Sequence, residues 1–190
     1  MDNESGTGGG GGGGGGKVVV NRAMSLDGFI AGPGHAMDWV GEHMTSETFP
    51  EVVAATGAML VGRGTYDVAQ GMSDENTSYD GGPQFVLTHE PPVEPDPRVT
   101  FLTCGVEEAV ATARAAAGGK DLEILGADLA AQCLRLGLVD EILVYVLPVL
   151  LGDGVRFSPP GEHQVDRIDL EPLATAQSGP VTMLRFRVRK

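Results

Sequence analysis

The chain alternates between short apolar runs and segments with helical spacing. Val18, Val19 and Val20 lie in a stretch from Lys17 to Met24 that reads as a buried strand. "AMLVG" at 58–62, "QFVLT" at 84–88, "VTFLT" at 99–103 and "LEIL" at 122–125 have the length and apolar content of further buried strands. "VEEAVATARAAA" places apolar residues at 106, 109, 110, 113 and 117, which is a helical period, and "ADLAAQCLRLG" reads as a helix ending at Gly137. Helices are also predicted from Thr45 or Ser46 to about Thr56, with Pro50 in the first turn, and over "TYDVAQG". "DEILVYVLPVLLG" predicts one long strand reaching the turn Gly152-Asp153-Gly154, followed by strands near Arg167 to Ala176 and Val181 to Val188. Residues 71–83 read as loop, and "PPVEPDP" as a rigid extended connector.

Strand–helix alternation closed by C-terminal strands predicts an α/β fold. Its central sheet is mostly parallel, with helices on both faces and an antiparallel C-terminal edge. Such sheets bind ligands beyond the carboxyl ends of their strands. "SLDG", "GRGTYD", "THE" and "LGADLA" each follow a strand, so the four should share that edge.

Composition narrows the reading. Nine consecutive glycines, Gly8 to Gly16, carry too much backbone entropy to fold, so residues 1–16 read as a Gly-rich tail and 17–190 as one domain. Thirteen basic residues against 26 acidic give a net charge of -13, which lacks the basic footprint of a nucleic-acid binder. No apolar run reaches the ~18 residues of a membrane span and no signal peptide opens the chain, so a cytoplasmic protein is expected. Cys104 and Cys133 lack CxxC spacing and read as free thiols. The four histidines have no ligand spacing, so no metal is expected.

Two strand-to-helix turns suggest chemistry. In "VGRGTYD", Gly62 and Gly64 let backbone N–H groups approach an anion at a helix start, and Arg63 offers a fork of donors for phosphate. "ILGADLA" repeats the logic at Gly126, with Asp128 readable either as a helix cap or as a ligand contact. Neither is the GxGxxG of a dinucleotide-binding fingerprint. Thr88 and His89 are turn residues or donors to a nucleotide phosphate or ribose.

Taken in order, "SLDGFIA", "AMDW", "GRGTY", "LGADLA" and "GLVDEILVYVLPVLLGDG" resemble the dihydrofolate reductase-like superfamily, within it the RibD C-terminal reductase-like proteins. The resemblance implies an NADPH-dependent hydride transfer to a small C=N or C=O substrate. It places Gly62, Arg63, Gly64 and Thr65 at the cofactor phosphates and Thr88 and His89 toward the adenosine 2′-phosphate. Leu125, Gly126, Ala127 and Asp128 fall under the pyrophosphate and nicotinamide, with Ala23, Ile30 and Ala31 beside the nicotinamide. The loop from Asp27 to Trp39 then lies across the reacting carbon, with Met37 and Trp39 as lid and substrate-pocket wall and Asp27 as the polar group near the reaction. Relatives commonly dimerise, which with the long apolar strand suggests a homodimer, and their Gly-Gly pair often carries a cis peptide, left open here because Leu125 replaces the first Gly. The pterin-binding carboxylate of dihydrofolate reductases maps near Met44. The Asp-Pro pair and Arg of the pyrimidine reductases of riboflavin biosynthesis have no counterpart in "GRGTYDVAQGM". That pyrimidine reductase and a non-catalytic NADP-binding protein are the alternative readings.

Overall fold

Where both faces of a strand are covered, no polar alternation is required, and this is how the valine run folds. Val18, Val19 and Val20 are all buried in β1 (Val18–Ser25). The computed structural model describes residues 15–45, 47–71, 82–159, 161 and 164–190. Strands β2 (Phe29–Ala31), β3 (Thr56–Gly62), β4 (Gln84–Leu87), β5 (Val99–Leu102) and β6 (Asp121–Leu125) follow. Strands β7 (Glu141–Leu147), β8 (Val155–Arg156), β9 (Leu170–Ser178) and β10 (Val181–Val188) complete the set. The helices are α1 (Asp38–Gly41), α2 (Pro50–Ala55), α3 (Arg63–Gln70), α4 (Val106–Ala116) and α5 (Ala127–Arg135).

The main sheet has eight strands in the order β5-β4-β3-β6-β1-β7-β10-β9. Every pair from β5 to β7 is parallel, and β10 runs antiparallel to both β7 and β9, as the strand–helix alternation predicts. On one face Val18, Val20, Leu60, Leu122 and Ile124 pack under α4 and α5. On the other, Val19, Leu143 and Leu147 pack against Trp39 and Phe49, and Phe49 stacks on Tyr145 with ring centroids 5.1 Å apart. The small face of α4 (Ala109, Ala113) lets it sit close to β3. A Cβ at Gly57 would come within 2.2 Å of the Ala117 carbonyl just beyond that helix, so glycine is required there.

Four local expectations change. The apolar run from 141 stops being strand at Leu147: Pro148 has no N–H for the ladder, and Val149 N–H turns back to the Leu147 carbonyl at 2.8 Å. All but one residue of β7 are buried, so the strand part of the apolar run serves the core of this chain. The helix expected from Thr45 or Ser46 begins only at Pro50, and Thr48 N–H instead bonds to the Thr45 carbonyl at 3.0 Å; Ser46 lies outside the described residues. It ends at Ala55, and buried Thr56 already belongs to β3, with its hydroxyl oxygen 3.0 Å from the Val52 carbonyl. Short strands β2 and β8, which pair antiparallel, carry no periodic signal of their own. Most of the loop expected at 71–83 lies outside the described residues.

Candidate active site

Parallel register brings the carboxyl ends of β1, β3, β4, β5 and β6 to one edge of the sheet, where a cavity of about 1050 Å³ opens. Gly62, Arg63, Gly64 and Thr65 line it after β3, and Thr88 and His89 line it after β4. Leu125, Gly126, Ala127 and Asp128 line it after β6. Ala23, Ile30 and Ala31 line it from β1 and β2, and Met37 from the loop beyond. Every residue the sequence assigned to cofactor binding therefore meets in one space.

Three helices start there. Their N-caps are Gly62 for α3, Gly105 for α4 and Gly126 for α5, and none carries a side-chain capping hydrogen bond. The first turn of a helix has N–H groups with no partner in the helix, and about half a positive charge collects there. Three starts without a side-chain cap open on one cavity and favour an anion there, with Glu107 and Glu108 in the first turn of α4 and Asp128 in that of α5 offsetting part of the effect. Gly126 has φ +104°, and a Cβ on it would lie 2.8 Å from Thr65 Oγ1 and 3.4 Å from the Gly62 amide, so the α3 and α5 turns approach as bare backbone. No peptide bond among the described residues is cis, Leu125–Gly126 included. Gly105 was legible as a third repeat of strand, glycine, helix ("LTCGVEEA") and was missed because it carries no polar side chain beside it.

Arg63 is not a free fork. Its Nε donates to both carboxylate oxygens of Asp67, one turn along α3, at 2.8 and 3.0 Å, and its Nη1 donates to the Glu90 carbonyl at 2.9 Å. Both partners of the ion pair are substantially exposed (39% and 52%), so the pair is weak and can exchange for a phosphate.

Sequence reasoning missed Arg22. Its side chain is buried and lines the cavity, and its Nη1 donates to the carbonyls of Asn21 and Ile124 while Nη2 donates to that of Gly126. Burial lowers its pKa to about 10, so it remains a cation at neutral pH. A charge inside an otherwise apolar strand was the available signal. On the opposite face of β1, the Asn21 amide donates to buried Glu123 at 3.2 Å, and Thr56 Oγ1 donates to the same oxygen. Burial pushes that carboxyl above its ordinary range despite both bonds.

Asp27 and Trp39 are corrected. Asp27 does not line the cavity: Ser25 Oγ donates to it at 2.6 Å, and the backbone N–H groups of Leu151 and Gly152 donate at 3.1 and 2.8 Å. The Ser25 bond, with help from the two amides, lowers its pKa to about 2, which leaves no proton to deliver at neutral pH. Trp39 is in the core with Val19 and Leu143, and its indole donates to the Ala36 carbonyl at 3.1 Å, fixing the loop from below. The β2–β8 pairing and the Arg156 guanidinium 4.6 Å over the Phe29 ring pin the same loop. It forms one wall of the cavity, with His35 (φ +64°) and Met37 in the lining.

The family model of the RibD C-terminal domain matches residues 16–184. The uncharacterized protein YwjB of Bacillus subtilis (strain 168) is 26% identical over 172 residues, 90% of this chain and 97% of its own. Among solved structures, a putative riboflavin biosynthesis protein from Shewanella sp. PV-4 superposes with a TM-score of 0.75 at 23% identity, covering 92% of this chain and 99% of that one. Acinetobacter baumannii RibD gives 0.64 at 20% identity, but the match spans 93% of this chain and only 59% of that longer chain. These structural likenesses carry the fold, and the family match carries the identity. With its mostly parallel sheet and the cavity at its carboxyl edge, the chain belongs to the RibD C-terminal domain family.

Proposed function

We propose that the protein is an NADPH-dependent reductase that transfers a hydride to a small substrate carrying a C=N or C=O bond. The observation that carries this reading is the convergence of three uncapped helix starts on one cavity of about 1050 Å³. A phosphate-rich dinucleotide with an apolar reactive end suits both that electrostatics and that size. When bound, the cofactor supplies the hydride. The amides at Gly62–Thr65 and Gly126–Asp128 would hold its diphosphate. Thr88, His89 and Arg63, at the β4 side, would meet the 2′-phosphate once Arg63 leaves Asp67. Ala23, Ile30, Ala31 and Met37 would form the apolar wall that excludes water around the reacting carbon.

The test is calorimetric titration of NADPH into the full chain, followed by incubation with a panel of pterin, pyrimidine and carbonyl acceptors. We expect binding, and loss of the reduced-nicotinamide absorbance with at least one acceptor. Turnover of the phosphoribosylamino-pyrimidine alone would assign the riboflavin pathway. Binding without turnover of any acceptor would favour a non-catalytic nucleotide-binding protein, and no binding would overturn the reading.

A further inference from the structure

Positive charge is divided unevenly between the two edges of the sheet, and the division bears on the substrate. Of the 13 Lys and Arg residues in the chain, Arg22 and Arg63 alone line the cavity. Arg22 is tied to three main-chain carbonyls, and buried Glu123 acts on its charge. Arg63 follows β3 and reaches the Glu90 carbonyl beyond β4, on the side of β3 away from β1. Arg156, beside the lining residue Val155, lies over the Phe29 ring at 4.6 Å. The others shortly precede β1, β5, β6 and β9, close α4 and α5, or lie in and after the last half of β10. Those places are all toward the amino edge of the sheet, opposite the cavity.

The β1–β2 end of the cavity is walled by Ala23, Ile30, Ala31, Met37 and Val155. Its polar side chains are Asn21, whose amide bonds to Glu123, and His35, which is exposed to water that screens its contacts. The helices on that side, α1 and α2, contain no Lys or Arg and carry Asp38 and Glu51 in their first turns. The start of α4 follows β5, which is four strands from β1 and so about 19 Å away at the usual strand spacing. A phosphate ester carries a charge of about -1.5 to -2 at neutral pH, and taking it out of water with no cation in reach is costly. We infer that the substrate is an uncharged carbonyl or imine compound with an apolar flank, and not a phosphorylated one. This rests on the reductase reading, which puts the acceptor against Ala23, Ile30, Ala31 and Met37. With the glycine turns and Arg63 given to the cofactor, the cavity lining has no Lys or Arg among the described residues left for a second phosphate.

The experiment offers the full chain, with NADPH, two matched pairs of acceptors. One is acetophenone against its para-phosphate ester, the other the phosphoribosylamino-pyrimidine against its dephosphorylated form. In each the acceptor carbon gains a hydride, its oxygen or nitrogen gains a proton from solvent, and NADPH is oxidised. In every pair that reacts, kcat/KM should be at least about tenfold higher for the unphosphorylated member. Met37→Arg should erase or reverse that preference by about tenfold to a hundredfold, the size of one charge-assisted hydrogen bond, and Met37→Leu should keep it. A phosphorylated member used as well as its partner, or better, overturns the inference and leaves the reductase reading standing. A preference unchanged by Met37→Arg also overturns it, because the acceptor would then not face that wall. Where no pair reacts, or Met37→Arg does not fold, the Met37 methyl resonance of the labelled wild type decides. A shift with acetophenone and none with the phosphate ester keeps the inference, and with no pair reacting it is the reductase reading that falls. A methyl that answers to the phosphate ester, or to neither compound, overturns the inference.

Discussion

The three donors around Asp27 decide what that carboxylate does. An ordinary Asp titrates at about 3.9, and here Ser25 and the two backbone amides lower the value to about 2. A carboxyl with a depressed folded-state pKa contributes stability above its unfolded value, and that contribution is lost as pH falls through the folded one. Asp27→Asn should therefore lower the urea midpoint at pH 7, since the Asn NH₂ must face a donor. The gap to wild type should close progressively below about pH 4. A gap that stays constant down to pH 2 would show that the bonds do not depend on charge. Activity of Asp27→Asn, measured once an acceptor is known, should keep the wild-type pH profile. A carboxylate without protons in its working range can hold a loop and cannot act as a general acid.

At the scale of elements, the site is made where strands hand over to helices. Glycine N-caps leave the first N–H groups of α3, α4 and α5 unmatched, which weakens each helix slightly and frees its positive end for a ligand. Gly126 joins the two requirements, because its φ of +104° and its contact with the Gly62–Thr65 turn both exclude a Cβ. Gly126→Ala should cost roughly 1–3 kcal/mol of stability from backbone strain alone and should weaken NADPH further by parting the two turns. Chemical denaturation reads the first effect and calorimetry the second. An alanine variant with unchanged stability and affinity would mean that the turns do not need close contact. The wall formed by β2, β8 and Trp39 belongs to this scale too: residues far apart in sequence, Asp27 with Leu151 and Phe29 with Arg156, hold it.

At the scale of the molecule, the expectation of a homodimer loses one of its supports and keeps another. Strand β7 is enclosed by β1 and β10, so its apolar run explains the core of one chain. Apolar surface remains beyond the strand, where the same run continues: Leu150 is 69% exposed, and Leu26, 68% exposed, is on the segment whose N–H bonds to the Val149 carbonyl. Leu170 and Leu173 add exposed side chains on edge strand β9. We propose that a second copy covers part of this surface. Sedimentation at micromolar concentration should give twice the chain mass, with Leu150→Glu or Leu173→Glu shifting it toward one. A wild-type monomer would end the proposal. Among the described residues no helix is long and apolar enough to cross a membrane.

The strands of the main sheet, the α4 and α5 helices and the glycine turns were legible because each is dictated locally. Apolar runs, a helical period and a residue without Cβ act within a few positions. From these the shared sheet edge followed without coordinates, since parallel strands place their carboxyl ends together, and the family resemblance supplied the thirteen residues that line the cavity there. Tertiary structure decided the rest. Asp27 and Trp39 looked like chemistry beside a glycine-rich loop, but the amides of Leu151 and Gly152 and the core around Val19 claimed them. Arg63 looked free, and Asp67 and the Glu90 carbonyl hold it. Arg22 drew no reading from the sequence, and the carbonyls of Ile124 and Gly126, about a hundred positions away, hold it as a buried cation lining the cavity. A polar side chain's role depends on which donors and acceptors surround it and how much water reaches it, and both are set by segments that meet only when the sheet is assembled.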